Sequence, residues 1–424
     1  MRNILFVSCY STDINNSASI ELIYYINLLS KSGEFNIHLL TMNYPQNTIY
    51  YDSEISKFVN ERITIHRVDG GFILNKFLPK KSIKLNSNQS SKKRNSILIG
   101  IKNVVTVIDP YISWTKNALK YFKRNLSNIK FDIILGMHEP PSSLICSYKI
   151  KDFIKKTNFD INLISYFSDP YCDEISRKSK NIIIRKINSR IERKIINKSD
   201  KFLFVTESNK KYYEDKYTLD SKDTKIIHRG FDEKLYGDLK QDYPEEFQRN
   251  KINLVHAGDI APNIRNIKFF IEALDYMENN NEEQFSKLNI RFFGNINDSE
   301  QEKLVKDRKY VYSIPRISYA EILKFLVNAD ILIVFGNKEF KQIPAKIYDY
   351  MGTNAYIFVI LESYTDPLYN LVKDVEGIVC VLNNREEIVK EFIKMLEKFQ
   401  CKRLFNRQEF NNQKIFEKFK DILR

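Results

Sequence analysis

Two loops of this sequence hold the side chains best suited to gripping an anion. In HAGDIAPNIRNIKFFIEAL, the apolar run Ile252–Ala257 gives way to Gly258 and Asp259, and Asn263 and Arg265 stand where helix periodicity begins. A glycine lets backbone come close to a ligand, a helix start offers unpaired N–H groups, and a guanidinium can hold a phosphate through two donors. In FGNKEFKQIPAKIYDYMG, the run Ile331–Phe335 ends at Gly336, and Pro344 sits just ahead of a helix. Lys346 and Asp349, three positions apart, share a face of its first turns. There a lysine could meet the phosphates of a nucleotide and a carboxylate its ribose hydroxyls. An exposed first-turn arginine and an ordinary i,i+3 ion pair are the plainer readings of the same residues. A third loop, ILGMHEPPSSLIC, puts His138 just past the run Phe131–Gly136, where it could touch a substrate or serve the structure alone.

Other chemistries lack their residues. The sequence has no D-x-D, no G-x-x-x-x-G-K-[ST], no G-x-S-x-G and no H-E-x-x-H. The five histidines (His38, His66, His138, His228, His256) fall at no ligand spacing, so no catalytic metal is expected. Five scattered cysteines form no C-x-x-C pair, which points to a reducing compartment and not to a disulfide scaffold.

The elements that must carry these loops alternate along the chain. Asn3–Cys9, Asn36–Met42, Ile63–Val68, Phe131–Gly136, Ile161–Phe167, Lys201–Thr206 and Lys225–His228 read as buried strands, with amphipathic stretches such as Ser19–Ser32 between them. The polar segment Asp238–Lys251, which contains Pro244, breaks the pattern and reads as a linker. The alternation then resumes with Ile252–Ala257, Leu288–Phe293, Tyr310–Ser313, Ile331–Phe335, Ala355–Ile360 and Gly377–Val381, followed by a mostly helical tail. This is an α/β chain of two Rossmann-like, doubly wound domains, residues 1–240 and 250–400, expected to face each other across a ligand-binding cleft. A C-terminal helix within 405–424 is expected to pack back on the first domain.

With 67 Lys and Arg against 53 Asp and Glu, the net charge is +14, so some face should meet an anion. Between Gly70 and Ile108 there are eight bases and no acid, and Lys76–Arg94 is expected to dock on an anionic membrane surface. Arg177–Lys198 has nine bases and one acid, Glu192, with Ile184, Ile187, Ile191 and Ile195 at helical spacing: an amphipathic helix whose basic outer face reads as solvated surface. No apolar run is long enough to span a bilayer. The N-terminus reads as a buried strand and not a signal peptide, so a cytoplasmic location is expected, peripheral on the inner face of the plasma membrane.

Segments spread along the chain then resemble the bacterial family 4 glycosyltransferases of GT-B fold, in the family's order. IDPYISWTKNALKYFKRN and FDIILGMHEPPSSLI resemble its D-x-x-x-x-W helix and P-P-S-S loop, and ISYFSDPYCDE its D-x-R-D-P-W motif, with Ser168 and Tyr171 in place of Arg and Trp. SDKFLFVTESNKKYY, IIHRGFDEKLY, HAGDIAPNIRN, NADILIVFGN and IPAKIYDYMG continue the series. The resemblance implies a retaining, metal-independent transferase that moves a sugar from a nucleotide-diphosphate donor to a hydroxyl of a glycan or lipid-linked acceptor, as in bacterial surface polysaccharide synthesis. No cofactor and no nucleic-acid partner are implied. It makes Arg265 and Lys346 the diphosphate grips and Asp349 the ribose ligand, within a donor set of Gly258, Asp259, Asn263, Glu339 and Ile347. His138 would orient the donor sugar or acceptor, and Asn16, Ser17 and Asp169 would face the acceptor. The family's first glutamate, eight residues before Asp349, is replaced by Lys341. That departure leaves open an inactive GT-B subunit that scaffolds a partner. An epimerase or other sugar-nucleotide enzyme on the same architecture and a basic nucleic-acid-binding protein are the remaining alternatives.

Overall fold

A computed structural model describes residues 1–71, 74, 75, 78–80, 109–157, 160–172, 181–219, 224–260, 265–338, 342–399 and 404–424. The chain divides into two compact units, Met1–Ile227 with Phe419–Arg424, and His228–Lys418.

The first unit is built on seven strands: β1 (Arg2–Ser8), β2 (Phe35–Asn43), β3 (Thr64–Asp69), β4 (Ile133–His138), β5 (Asn162–Phe167), β6 (Lys201–Phe204) and β7 (Thr224–Ile226). They lie in the order β3-β2-β1-β4-β5-β6-β7, every pair parallel. A parallel sheet carries helices on both faces, so its strands have no solvent side, and Ile4 to Val7 and Ile133 to Leu135 are all fully buried. The last helix, Asn412–Leu423, ends in this unit. Phe419 packs on Tyr25 with ring centroids 5.1 Å apart, and Lys201 Nζ donates to Ile422 O at 2.9 Å.

The second unit holds β8 (Ile252–Ala257), β9 (Leu288–Phe293), β10 (Val311–Ile314), β11 (Ile331–Phe335), β12 (Tyr356–Leu361) and β13 (Ile378–Leu382). Its order, β10-β9-β8-β11-β12-β13, is again all parallel, and a core of Leu254, Ile271, Phe270, Ile333, Phe358 and Phe392 lines the sheet. The strands follow the apolar runs of the sequence because burial on both faces makes each run continuous. In both sheets the order reverses beside the first strand, which puts the switch points at β1/β4 and β8/β11, where open α/β sheets take their ligands.

The division between units falls at Ile227/His228, ahead of the expected linker. Asp238–Lys251 is no free connection. Glu233–Leu239 is helical, Phe247 is buried edge-on to Phe325, and Glu246 O accepts from Asn289 Nδ2 and Arg291 Nη2 at 3.3 and 2.7 Å. These ties run from strand side chains to loop carbonyls, so the loop needs no apolar periodicity to be held. Of the basic segment Lys76–Arg94, only Leu78, Pro79 and Lys80 are described, so the expected membrane dock lies outside the described residues. No helix among the described residues is long and apolar enough to cross a membrane.

Candidate anion-binding site

The switch point of the second sheet gathers cations. Strand β8 ends at Ala257, and Gly258 follows with φ of +127°, a conformation that a residue with a Cβ rarely adopts. A Cβ added there would come within 2.6 Å of Lys346 Nζ, so the lysine amine rests against the glycine's open face. Lys346 opens the helix Lys346–Met351, which follows β11, and its Nζ lies 3.3 Å from His256 Nε2. His256 is buried in β8 with Nδ1 3.0 Å from Ile333 O. Its Nε2 lies 3.1 Å from Gly258 O as well as 3.3 Å from Lys346 Nζ, so the ring bridges β11, the turn after β8 and the lysine amine. Burial first, and the lysine second, hold the imidazole well below its ordinary pKa, so it stays neutral.

Arg265 reaches back to the same turn, donating from Nη1 to Asp259 O at 2.6 Å, while its Nε has no hydrogen-bond partner among the described residues. The nearby carboxylate is committed elsewhere: Asp259 Oδ2 accepts from Arg316 Nη2 at 2.6 Å and Oδ1 from Asn295 N at 2.9 Å. Burial, then Arg265 and Arg316, push the Lys346 amine well below its ordinary pKa, with Asp259 opposing. Burial likewise lowers Arg265. Three cations thus share one carboxylate, and among the described residues neither Lys346 nor Arg265 forms an ion pair. An anion at this point would supply the missing charge.

Asp349, one turn along the same helix, stands in the opposite condition. Its Oδ1 accepts from Arg229 Nη1 at 2.9 Å, Tyr236 OH at 3.1 Å and Tyr319 OH at 2.9 Å, and its Oδ2 from Arg229 Nη2 at 2.8 Å. Burial alone would lower the Arg229 guanidinium, and the facing carboxylate outweighs it and raises it well above its usual value. Four donors fill this carboxylate, so in this conformation it has little left to offer a ribose. Ile347 is fully buried and its N–H is donated to Pro344 O at 3.0 Å, which makes it a packing residue. Asn263 and Glu339 lie outside the described residues.

The remaining candidates belong to the first unit, all where β1, β4 and β5 end or their following helices begin. His138, the last residue of β4, is buried with its ring 5.8 Å from that of Phe167, and its carbonyl accepts from Ser168 Oγ at 3.0 Å. Asn16 caps the helix Ser17–Lys31, its Oδ1 accepting from Ser19 N at 2.8 Å, and Ser17 is that helix's first residue. Asp169 is half-buried just past β5. Several motif residues prove to be fasteners. Asp109 accepts from Ser142 N, Ser142 Oγ and Tyr111 N at 2.8, 2.6 and 2.7 Å, which ties the helix Pro141–Lys155 that follows the His138 loop. Sequence reasoning missed His256 and Arg316, and it did not assign Arg229. Arg229 stands within the HRGFD motif, whereas Arg316 follows a short strand in a stretch with no signal of its own.

Residues 86–235, less than half of the chain, match the model of Glycosyltransferase Family 4. No curated protein matches the chain. Sucrose-phosphate synthase from Thermosynechococcus elongatus is similar in structure, with a TM-score of 0.61 at 10% identity over 100% of this chain and 95% of that one. Anabaena HepE in complex with UDP has a TM-score of 0.60 at 12% identity over 99% of each chain. The structure described as trehalose-6-phosphate from E. coli bound with UDP-2-fluoro glucose has 0.56 at 9% over 99% and 94%. At these identities the likeness establishes the fold, two α/β units with parallel sheets of the GT-B type.

Proposed function

We propose that the chain is a GT-B glycosyltransferase that holds a nucleotide-diphosphate sugar at the β8/β11 switch point, with Lys346 and Arg265 on the diphosphate. The observation that carries this reading is that both cations meet at one turn and, among the described residues, neither has a carboxylate of its own. Two of the structural neighbours are described with UDP or a UDP-sugar, which supports a donor of that class. The match of residues 86–235 supports the transferase chemistry.

The reaction asks for little else. As the bond from the anomeric carbon to the diphosphate oxygen breaks, negative charge grows on that oxygen. Donors already oriented toward it in a low-dielectric site each contribute roughly 2.7–4 kcal/mol to the transition state. Lys346 and Arg265 are those donors, Gly258 leaves the room they need, and His256 holds the lysine amine in place. The acceptor hydroxyl attacks from the face the diphosphate leaves, the leaving oxygen takes its proton, and the anomeric configuration is retained. Neither a glycosidase-type carboxylate pair nor a metal ion is required. Asp349 then supports the site from behind by fixing the Lys346 helix, and does not hold the ribose. Asn16, Ser17 and Asp169 are assigned to the acceptor, a glycan or lipid-linked hydroxyl of bacterial surface polysaccharide synthesis, and His138 to orienting the donor sugar or the acceptor.

A thermal-shift screen of UDP-, GDP-, CDP- and dTDP-sugars, followed by an assay for free nucleotide in the presence of acceptor, tests the reading. Stabilisation by one donor and acceptor-dependent release of its nucleotide are expected. Stabilisation by none would favour a scaffold without catalysis, and sugar conversion without release would favour an epimerase.

A further inference from the structure

The helix Ile182–Lys198 in the first unit presents a surface that neither its fold nor the proposed transfer reaction uses. Its sequence, IIIRKINSRIERKIINK, has one acid, and that acid is turned inward. Glu192 is fully buried, where it accepts from Lys216 Nζ and Tyr217 OH at 2.5 Å, from Tyr213 OH at 3.2 Å and from Cys172 N at 3.1 Å. Asn188, Ile195 and Ile196 are buried beside it. At 100° per residue Ile183, Lys186, Arg190 and Arg193 lie on the side away from Glu192, and Ile182 stands on its flank at the helix start. All five are exposed, and no carboxylate among the described residues pairs with these three bases.

The two isoleucines need explaining. Ile182 and Ile183 are 64% and 68% exposed and adjacent, at the helix's first turn, with exposed bases following them. Two bare aliphatic side chains beside Lys186, one turn on, form an apolar tip with a cationic stem. Phosphodiester headgroups would meet the bases while the tip enters the acyl boundary below them. A nucleic acid would use the charge but not the tip, since its bases stack on aromatic rings and this helix has none.

We propose that this helix is a docking surface for an anionic lipid bilayer, with Ile182 and Ile183 entering the interface and Lys186, Arg190 and Arg193 meeting the headgroups. The proposal draws on none of the residues of Lys76–Arg94 and does not depend on the transferase reading.

Sedimentation of the full chain with vesicles of phosphatidylglycerol and phosphatidylcholine, or of phosphatidylcholine alone, tests the proposal. The chain should pellet with the anionic vesicles only, and less at high salt. Ile182→Ser together with Ile183→Ser should weaken the apparent affinity by about tenfold. Lys186→Glu together with Arg190→Glu should abolish pelleting. Because every substituted side chain is exposed, thermal midpoints should not move, and a variant whose midpoint falls is replaced by Ile182→Asn with Ile183→Asn. Pelleting unchanged in both variants would overturn the proposal. So would RNA binding as tight as vesicle binding and indifferent to the isoleucines, or a self-association that the serine variant dissolves. UDP binding by the same variants keeps the two readings apart: vesicle binding without nucleotide binding would leave this inference standing and remove the other.

Discussion

Lys346 and Asp349 lie one turn apart on a single short helix, yet the fold treats them as opposites. The carboxylate is filled by four donors, two of them from Arg229, which stands 120 residues earlier in the chain. Among the described residues the amine has a neutral imidazole at 3.3 Å, with Arg265 and Arg316 adding to its charge and Asp259 opposing them. A filled site stabilises the protein and has nothing left for a ligand. A site short of negative charge costs stability until an anion arrives. On the proposed reading, Asp349 serves the structure and Lys346 the anion.

The largest effect should come from breaking the filled site. Arg229→Met leaves Asp349 buried and unpaired, which should cost about 3–5 kcal/mol of stability for the second unit in a denaturant titration. Should Asp349→Asn instead keep full stability and lose only nucleotide affinity, the carboxylate would be a ribose ligand after all. On the other side, Lys346→Met and Arg265→Met should each cut transfer turnover by well over tenfold, in keeping with the loss of one oriented donor. Lys346→Met should at the same time leave stability unchanged or raised, as no ion pair is broken.

Two smaller effects sharpen the contrast. Gly258→Ala would bring a methyl against Lys346 Nζ at a φ of +127°, so donor affinity should fall severalfold with a stability loss of about 1 kcal/mol. The lysine also makes a pH signature. Its amine is held below its ordinary pKa by burial and then by its cationic neighbours, and a bound diphosphate would raise it again. Binding therefore takes up a proton in the window between the two values, and affinity falls as pH rises through it. The unfolded chain binds more protons than the native one over the same window, so the unliganded protein's stability rises with pH there. Calorimetry in two buffers of unlike ionisation heat should show the uptake, and Lys346→Met should abolish it.

Much of this architecture was legible in the residues. Ile252–Ala257, Leu288–Phe293 and Ile331–Phe335 are strands within the very bounds their apolar runs suggest, since burial on both faces leaves no polar alternation to blur the ends. Gly258, Arg265 and Lys346, each legible at or after a strand's carboxyl end, do meet at one turn. What escaped depends on contacts that no spacing encodes. Asp349 and Arg229 meet only after the chain has folded. His256 looks like any strand residue until its ring is seen against both the lysine amine and the Gly258 carbonyl. The 238–251 loop reads as a linker because its ties to Asn289 and Arg291 run through its backbone carbonyls.

The central claim is that a diphosphate is the anion this turn lacks, and a calorimetric titration of the wild-type chain and Lys346→Met addresses it directly. With UDP, GDP, CDP, dTDP and their monophosphates as ligands, the wild type should bind at least one diphosphate far more tightly than its monophosphate, and a folded Lys346→Met should lose that preference by well over tenfold. Equal affinity in the two proteins, or binding indifferent to the second phosphate, would contradict it.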